Sequence, residues 1–278
     1  MKYNPNLAKE LNREVELKEL AKKRKKQGVE EAVEPAISNQ YSFLEGSLAE
    51  QVHEYITRNY PDLPKLSSIQ PGKGSNSFYV TAVNDYFRAN NIKIRTASQS
   101  ELEHIIKNNL LKLTGHYEDT GLVLRSTGNP NEYLAKHLAN QLNPSYPLMI
   151  PLNGLTLIKD DKSPHKYSFI LTNETKLIHA PVLNSKPGQK FNETDDNGLP
   201  LLGNGTRTLY TGSDKSGLSR LYMDWNLDLS SNDENLASSF DNGRVVLVSP
   251  EGARLWILVF SLFSDKSNIK TLNYFINS

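Results

Sequence analysis

The chain has 278 residues, of which 37% are hydrophobic and 23% are charged, a composition that excludes a disordered protein and suits one large domain or two ordinary ones. The absence of cysteine excludes disulfide frameworks, thiolate metal sites and cysteine nucleophiles, and fits a cytoplasmic protein. A net charge of +1 excludes a global field that attracts nucleic acid, so such binding needs a local patch. The longest apolar run, residues 255–260, is too short to span a bilayer, so no membrane partner is expected.

The first segment, residues 1–37, is predicted to be a charged helix that ends before Pro35. Its apolar stripe is too narrow to form a core, but it can dock on a partner protein or on the body of this protein. The helix also carries a basic block that offers phosphate contacts to nucleic acid, formed by Lys22, Lys23, Arg24, Lys25 and Lys26. The alternative interpretation of this block is a solvated helix face, balanced by the glutamates that follow it.

Residues 38–145 are predicted to be an α-rich α/β region with one or two strands, and its first residues, 38–46, are predicted to be a linker. Ser47 with Glu50, and Ser98 with Glu101, have the spacing of capping boxes, in which two side chains satisfy free N–H groups at a helix start. A buried strand over residues 121–125 is predicted to continue through a loop into a further helix. Because helix starts bind anions, Arg125 and Ser126 are candidate phosphate ligands there; the alternative is an ordinary turn.

After residue 145 the sequence changes to short β-like runs bounded by turn residues, which predicts a β-rich domain over residues 146–278. The fold class expected is therefore α+β, with a helix-rich N-terminal half and a mainly antiparallel β C-terminal half. Residues 243–249 are predicted to be a buried strand that forms a hairpin with residues 254–260; the alternative for residues 254–260 is a short buried helix. Residues 221–229 alternate strictly, which predicts one strand whose buried face carries Leu221, Met223, Trp225, Leu227 and Leu229.

The polar face of that predicted strand carries Asp224, Asn226 and Asp228. Side chains at every second strand position lie on one face about 7 Å apart, and carboxylate and amide oxygens are suitable ligands for a divalent cation. These three residues are therefore the candidate metal ligands, and Asp224 and Asp228 are candidate catalytic groups. The alternative is a solvent-facing strand whose charges discourage edge pairing. His116 is the local acid–base candidate because two carboxylates follow it closely.

Several segments resemble hypothetical proteins from small-genome archaea, mainly residues 210–229 and 241–249 with residues 151–155 and 179–184. The resemblance covers the chain from about Gly121 onward. It implies a cytoplasmic location and a C-terminal half that is one structural unit. It implies no catalytic residues, because its motifs are not tied to any chemistry.

Three classes of function remain open from the sequence. The first is a non-enzymatic binding protein for an anionic ligand, a nucleotide or a nucleic acid, held by Arg125, Ser126, Arg207 and Arg220. The second is a metal-dependent phosphoester hydrolase with a divalent cation at Asp224 and Asp228 and with His116 as the base. The third is a structural or interaction protein that docks through its N-terminal helix.

Overall fold

The computed structural model describes residues 40–63, 69–142, 144–212 and 216–250. The predicted N-terminal helix, the basic block at residues 22–26 and the predicted strand at residues 254–260 lie outside this part of the chain. In the described part, the α-helices are α1 (Gly46–Asn59), α2 (Ser77–Ala89), α3 (Gln99–Asn108) and α4 (Glu132–Ala139), and short 3-10 helices lie at Leu152–Gly154 and Pro181–Asn184. None of them is both long enough and apolar enough to cross a membrane.

The described strands mix with these helices along the chain, so the fold is α+β as predicted. The strands are β1 (Gln40–Phe43), β2 (Arg95–Thr96), β3 (Glu118–Leu124), β4 (Leu148–Pro151), β5 (Leu155–Lys159), β6 (Tyr167–Leu171), β7 (Ile178–His179), β8 (Gln189–Thr194), β9 (Pro200–Leu202), β10 (Arg207–Tyr210), β11 (Leu218–Met223), β12 (Leu229–Ser230) and β13 (Val246–Ser249).

The strands form one large sheet and two small ones. The large sheet has eight strands in the order β7-β4-β3-β11-β12-β10-β8-β9, and all of its neighbours are antiparallel except β10 and β12. A three-stranded sheet has the order β1-β13-β2, and β5 pairs with β6. Strand β3 lies between β4 and β11, so elements from both sides of residue 145 share the large sheet. The region before residue 145 contains three described strands, where one or two were predicted.

Both faces of the large sheet are covered at its centre. Successive side chains of β3 point to opposite faces, so this one strand contributes to the core on each side. Leu122 and Leu124 point into the main core, which α1, α2 and α4 close from one side. Val123, between them, points to the other face and packs in a second core with Leu221 and Leu229. A strand buried on both faces reads as a continuous apolar run, which is why the sequence showed this strand clearly.

Helix α2 is the helix most enclosed by the fold, since every residue from Ser77 to Phe87 is buried. Its start is fixed locally: the Asn76 side chain accepts a hydrogen bond from the Tyr79 backbone N–H at 2.8 Å, as an N-cap residue does. Helix α3 begins with the predicted capping box, in which Glu101 accepts from the Ser98 N–H at 2.9 Å. The box predicted at Ser47 does not form, because the N-cap position lies two residues earlier, at Glu45, and α1 begins at Gly46.

Residues 221–229 do not form one strand, so that prediction is wrong at its centre. Strand β11 ends at Met223 and β12 begins at Leu229, and the two pair as an antiparallel hairpin. Asp224 makes the turn, since its Oδ1 accepts backbone hydrogen bonds from Asn226 at 2.8 Å and Asp228 at 3.0 Å. Trp225 lies at the tip and is 52% exposed, so it does not line the core as predicted.

The three-stranded sheet confirms one strand prediction and corrects the linker prediction. Residues 243–249 contain β13, whose four residues are all buried, as predicted. Its described partners are β1 and β2. Strand β1 lies within residues 38–46, where a linker was predicted.

Candidate anion-binding site

Three arginines predicted to bind an anion are all buried, but the fold uses them in different ways. Arg125 follows β3, Arg207 begins β10 and Arg220 lies in β11. Their exposed fractions are 5%, 9% and 2%. A buried guanidinium needs hydrogen-bond acceptors and a counter-charge, so the identity of the partners decides which arginine is available to a ligand.

Arg220 is fully paired within the protein. Its Nε and Nη2 donate to the two carboxylate oxygens of Asp119 at 2.8 and 2.7 Å, the two-point geometry that suits arginine and carboxylate. Asp233 lies 3.3 Å from Nη1, and the guanidinium sits against the rings of Tyr117 and Tyr222. Burial works against the charge of Arg220, but the Asp119 carboxylate outweighs it and raises the pKa above its ordinary value.

Arg207 is paired in the same way with a carboxylate from a helix. Its Nη1 and Nη2 donate to the Glu103 carboxylate of α3 at 2.6 and 2.8 Å, and its Nε donates to the Leu227 carbonyl at 2.5 Å. Its guanidinium also lies over the Phe191 ring, 4.5 Å from the centroid. Arg207 therefore ties α3 to the large sheet and has its charge neutralised by the protein.

Arg125 differs because none of its described partners is a carboxylate. Its guanidinium donates six hydrogen bonds of 2.6 to 3.3 Å to neutral oxygens of Leu183, Asn184, Thr211, Ser219 and Ser231. Burial lowers the pKa of Arg125 to about 10, which still leaves it charged at neutral pH. Among the residues that the structure describes, dipoles alone hold this buried positive charge, and three of the surrounding groups are hydroxyls.

One side of this guanidinium is closer to solvent than the others. Asn184, which accepts from Nε at 2.7 Å, is half-buried, whereas the other four partner residues are buried. Ser126, next in the chain, is also half-buried, and its Oγ lies 2.5 Å from the Oγ of the exposed Ser216. Of these residues, Asn184 contacts the guanidinium and marks where a small anion would approach Arg125.

Ser126 itself organises the loop beside the site. Its Oγ accepts the backbone N–H groups of Gly217 at 2.9 Å and Gly128 at 3.2 Å. The first turn of α4 carries Glu132, whose negative charge already complements the helix dipole. The helix start is therefore a poorer anion site than the sequence suggested, and the positive charge of Arg125 is the stronger attraction.

The candidate metal ligands are held by the backbone of the hairpin. Asp228 accepts the Thr208 N–H through its Oδ1, and Asp224 uses its Oδ1 for the turn described above, while Asn226 is exposed. Burial raises the pKa of Asp224 above its ordinary value. The three residues lie in the turn between β11 and β12. The metal prediction assumed that they lie on one face of a single strand. In the residues described, no group of three or more His, Cys, Asp or Glu side chains could hold a metal ion.

His116 lies near the two carboxylates that follow it in sequence, but they serve other purposes. Asp119 binds Arg220, and the Glu118 side chain points into the interior. The half-buried His116 ring packs edge-on against Phe43 at 5.2 Å, and its Nδ1 has no hydrogen-bond partner among the described residues. Burial, and then the charge of Arg244, lower the pKa of His116, so its neutral form is favoured at neutral pH.

The sequence did not single out Glu118, because it precedes the apolar run from which the strand was predicted.

Comparison with known proteins adds no further residue to the site. Neither a family model, nor a curated protein sequence, nor a solved structure matches this chain.

Proposed function

We propose that this protein is a cytoplasmic, non-enzymatic binding protein for an anionic ligand, in which Arg125 holds the phosphate group of a nucleotide or of a nucleic acid. One observation carries the proposal: Arg125 is 5% exposed, and all its described partners are neutral. A buried charge without a counter-charge is costly. An anion that reaches Arg125 supplies that counter-charge and forms a charge-assisted hydrogen bond with the guanidinium, which favours binding. Arg207 and Arg220, each paired with a carboxylate, serve as the internal comparison.

The approach of the ligand follows from the exposure of the partner residues. Asn184 is the half-buried partner, so its amide oxygen is the one that a phosphate oxygen displaces from Nε. The hydroxyls of Thr211 and Ser219 already donate to the Leu183 and Ser231 carbonyls, so Ser231 Oγ is the hydroxyl that can turn to donate to the same oxyanion. Hydroxyls and one guanidinium form a small polar site that suits a single terminal phosphate group.

The test measures the melting temperature with inorganic phosphate or AMP against chloride at equal ionic strength. A ligand that binds the folded state at 100 times its dissociation constant adds about 2.7 kcal/mol of stability, so a clear rise is expected. Arg125→Gln should lose the rise. Wild-type protein that responds to phosphate and AMP no more than to chloride would exclude the proposal.

A second variant protects the test against a misfolded Arg125→Gln protein. Asn184→Asp places a carboxylate 2.7 Å from Nε, which supplies the missing counter-charge internally. This variant should melt higher than wild type without ligand and should no longer respond to phosphate. Asn192→Asp is the matched control, because it adds the same charge at an exposed residue whose side-chain oxygen keeps its bond to Thr206; it should respond as wild type does.

The basic block at residues 22–26 extends the proposal to nucleic acid, since each neutralised phosphate adds to the salt dependence of binding. Neutralising Lys22 to Lys26 should weaken the binding of a single-stranded oligonucleotide and flatten its salt dependence. Binding of AMP at Arg125 should be unchanged by that substitution. The two sites are thereby tested separately.

Two alternatives from the sequence have less support. A metal-dependent phosphoester hydrolase requires Asp224 and Asp228 to exchange backbone N–H donors for a divalent cation. A Mn²⁺-dependent rise in melting temperature that disappears in Asp224→Asn would favour it. An interaction protein that docks through residues 1–37 would change its oligomeric state or partner binding when that segment is deleted.

The proposal also includes how the chain is divided around Arg125. A helix-rich region at residues 38–145 and a mainly antiparallel β region at residues 146–278 would flank Arg125. Its support is that α1 to α4 all lie between Gly46 and Ala139, whereas β4 to β13 all follow from Leu148. Arg125 follows β3, and its described hydrogen-bond partners all come after residue 145.

A further inference from the structure

Glu118 is a buried carboxyl group to which the described part of the chain offers no hydrogen-bond partner. It is the first residue of β3 and is 3% exposed, and neither Oε1 nor Oε2 has a hydrogen-bond partner among the described residues. Buried polar atoms are nearly always satisfied, and an ionised carboxylate without a donor is the most costly exception. The group therefore needs an explanation that packing does not give.

The surroundings of Glu118 are apolar and closely packed. A cavity of about 10 Å³, enough for about one water molecule, lies beside it and is lined by Ala97, Leu102, Val245 and Val246. Of the two hydroxyls in the lining, Thr120 donates to Gln99 at 3.0 Å, and Thr96 accepts from Asn84 at 2.9 Å. Neither hydroxyl donates a hydrogen bond to the Glu118 carboxyl.

The charged groups of the elements packed around Glu118 have partners of their own. On β3 itself Asp119 binds Arg220, on α3 Glu103 binds Arg207, and on β2 Arg95 binds Glu101. Arg244, just before β13, donates to the Asp241 and Gly243 carbonyls at 2.6 and 2.7 Å. Burial raises the pKa of Glu118 well above its usual range, the charge of Asp119 adds to this, and Arg244 opposes it.

We propose that Glu118 is a pH-sensitive switch: its protonated form lets β13 and α3 pack against the start of β3, and its ionisation loosens that contact. Three segments meet at this carboxyl: the start of β3 itself, the stretch from β2 into α3 with Ala97 and Leu102, and the start of β13 with Val246. The water-sized cavity lets a protonated Glu118 donate to a single water. The ionised carboxylate needs more hydrogen-bond donors than one water provides, and it obtains them only if α3 and β13 move away from the start of β3.

The direction of the pH effect follows from linkage between protonation and folding. Below the ordinary pKa of a glutamate, both the folded and the unfolded chain carry the proton, and Glu118 contributes no pH dependence. As the pH rises above that value, only the unfolded chain releases the proton. The folding equilibrium constant therefore falls by up to tenfold per pH unit until the folded carboxyl itself ionises.

The experiment compares urea unfolding of wild type and Glu118→Gln from pH 5 to pH 9, because the shared titrations of all other groups cancel in the ratio. The ratio of the two folding constants should fall by up to tenfold per pH unit over part of this range. Glu50→Gln, at an exposed residue of α1, is the control and should follow wild type. Parallel pH profiles for wild type and Glu118→Gln would overturn the proposal.

Two measurements on wild-type protein keep the proposal testable if Glu118→Gln folds poorly. Infrared difference spectra should show a protonated carboxyl C=O band at neutral pH that disappears at higher pH, and absence of that band at neutral pH contradicts the switch. Amide hydrogen exchange of Val246–Ser249 should accelerate over the pH range in which the band disappears, beyond the intrinsic rise with pH. Unchanged protection there would show that ionisation does not loosen β13.

Discussion

Replacing Arg220 should reveal how strongly the large sheet depends on its buried ion pair. Arg220→Met removes both bonds to Asp119, a side chain with no exposed surface, and leaves Ser75 at 2.7 Å as its remaining side-chain donor. Breaking a buried pair by removing one partner costs about 3–5 kcal/mol, because the other charge stays buried. Since a domain of this kind has roughly 5–15 kcal/mol in total, the loss is a large part of its stability.

The assay is urea unfolding at neutral pH, with the midpoint and the slope fitted separately. Arg220→Lys is the milder variant, because it keeps the charge but loses the planar fork; losing one charged hydrogen bond costs about 1.5–3 kcal/mol. Arg58→Met is the control: its pair with Glu54 has the same 2.6–2.7 Å contact but is more than 70% exposed on both sides. That control should cost about 0.2–1 kcal/mol. Equal losses in Arg220→Met and Arg58→Met would refute the reasoning from burial.

Two further substitutions test the turn and loop around β11. Trp225→Ser should change the free energy of unfolding by no more than about 0.5 kcal/mol in the same assay, because the ring is 52% exposed; a loss of about 3–5 kcal/mol would instead place it in a core. Gly217→Ala should cost more than Gly46→Ala, which costs about 1–2 kcal/mol for its left-handed backbone alone. Both glycines have φ near +60°, but a Cβ at Gly217 would also collide with the Pro130 carbonyl, so equal losses would contradict the close approach.

Features of the fold that depend on near neighbours could be predicted from the sequence. The capping box of Ser98 and Glu101 and the buried strands β3 and β13 rest on residues within a few positions of each other. The alternation at residues 221–229 was also local, but it misled. The pattern records which side chains are apolar, and it does not record that Asp224 captures two backbone N–H groups and reverses the chain.

The candidate site depends on contacts that no local pattern contains. Arg207 and Glu103 are 104 residues apart, and Arg220 and Asp119 are 101 residues apart. From the sequence, Arg125, Arg207 and Arg220 looked equivalent, and only their distant partners show that Arg125 lacks a described carboxylate. The burial of Glu118 escaped prediction for the same reason, because Val245 and Val246, more than 120 residues further along the chain, help to close over it.

The central position of β13 sets an order of events during synthesis. This strand lies between β1 and β2, and its end pairs Ser249 with Gln40, 209 residues earlier. Neither outer strand of that sheet has its described partner until residue 249 has left the ribosome, although the residues of α1, α2 and β3 emerge long before. Loops of this length close slowly, and unpaired strand edges attract other chains. The growing chain therefore carries two open strand edges for most of its translation, which makes chaperone protection most valuable before β13 emerges.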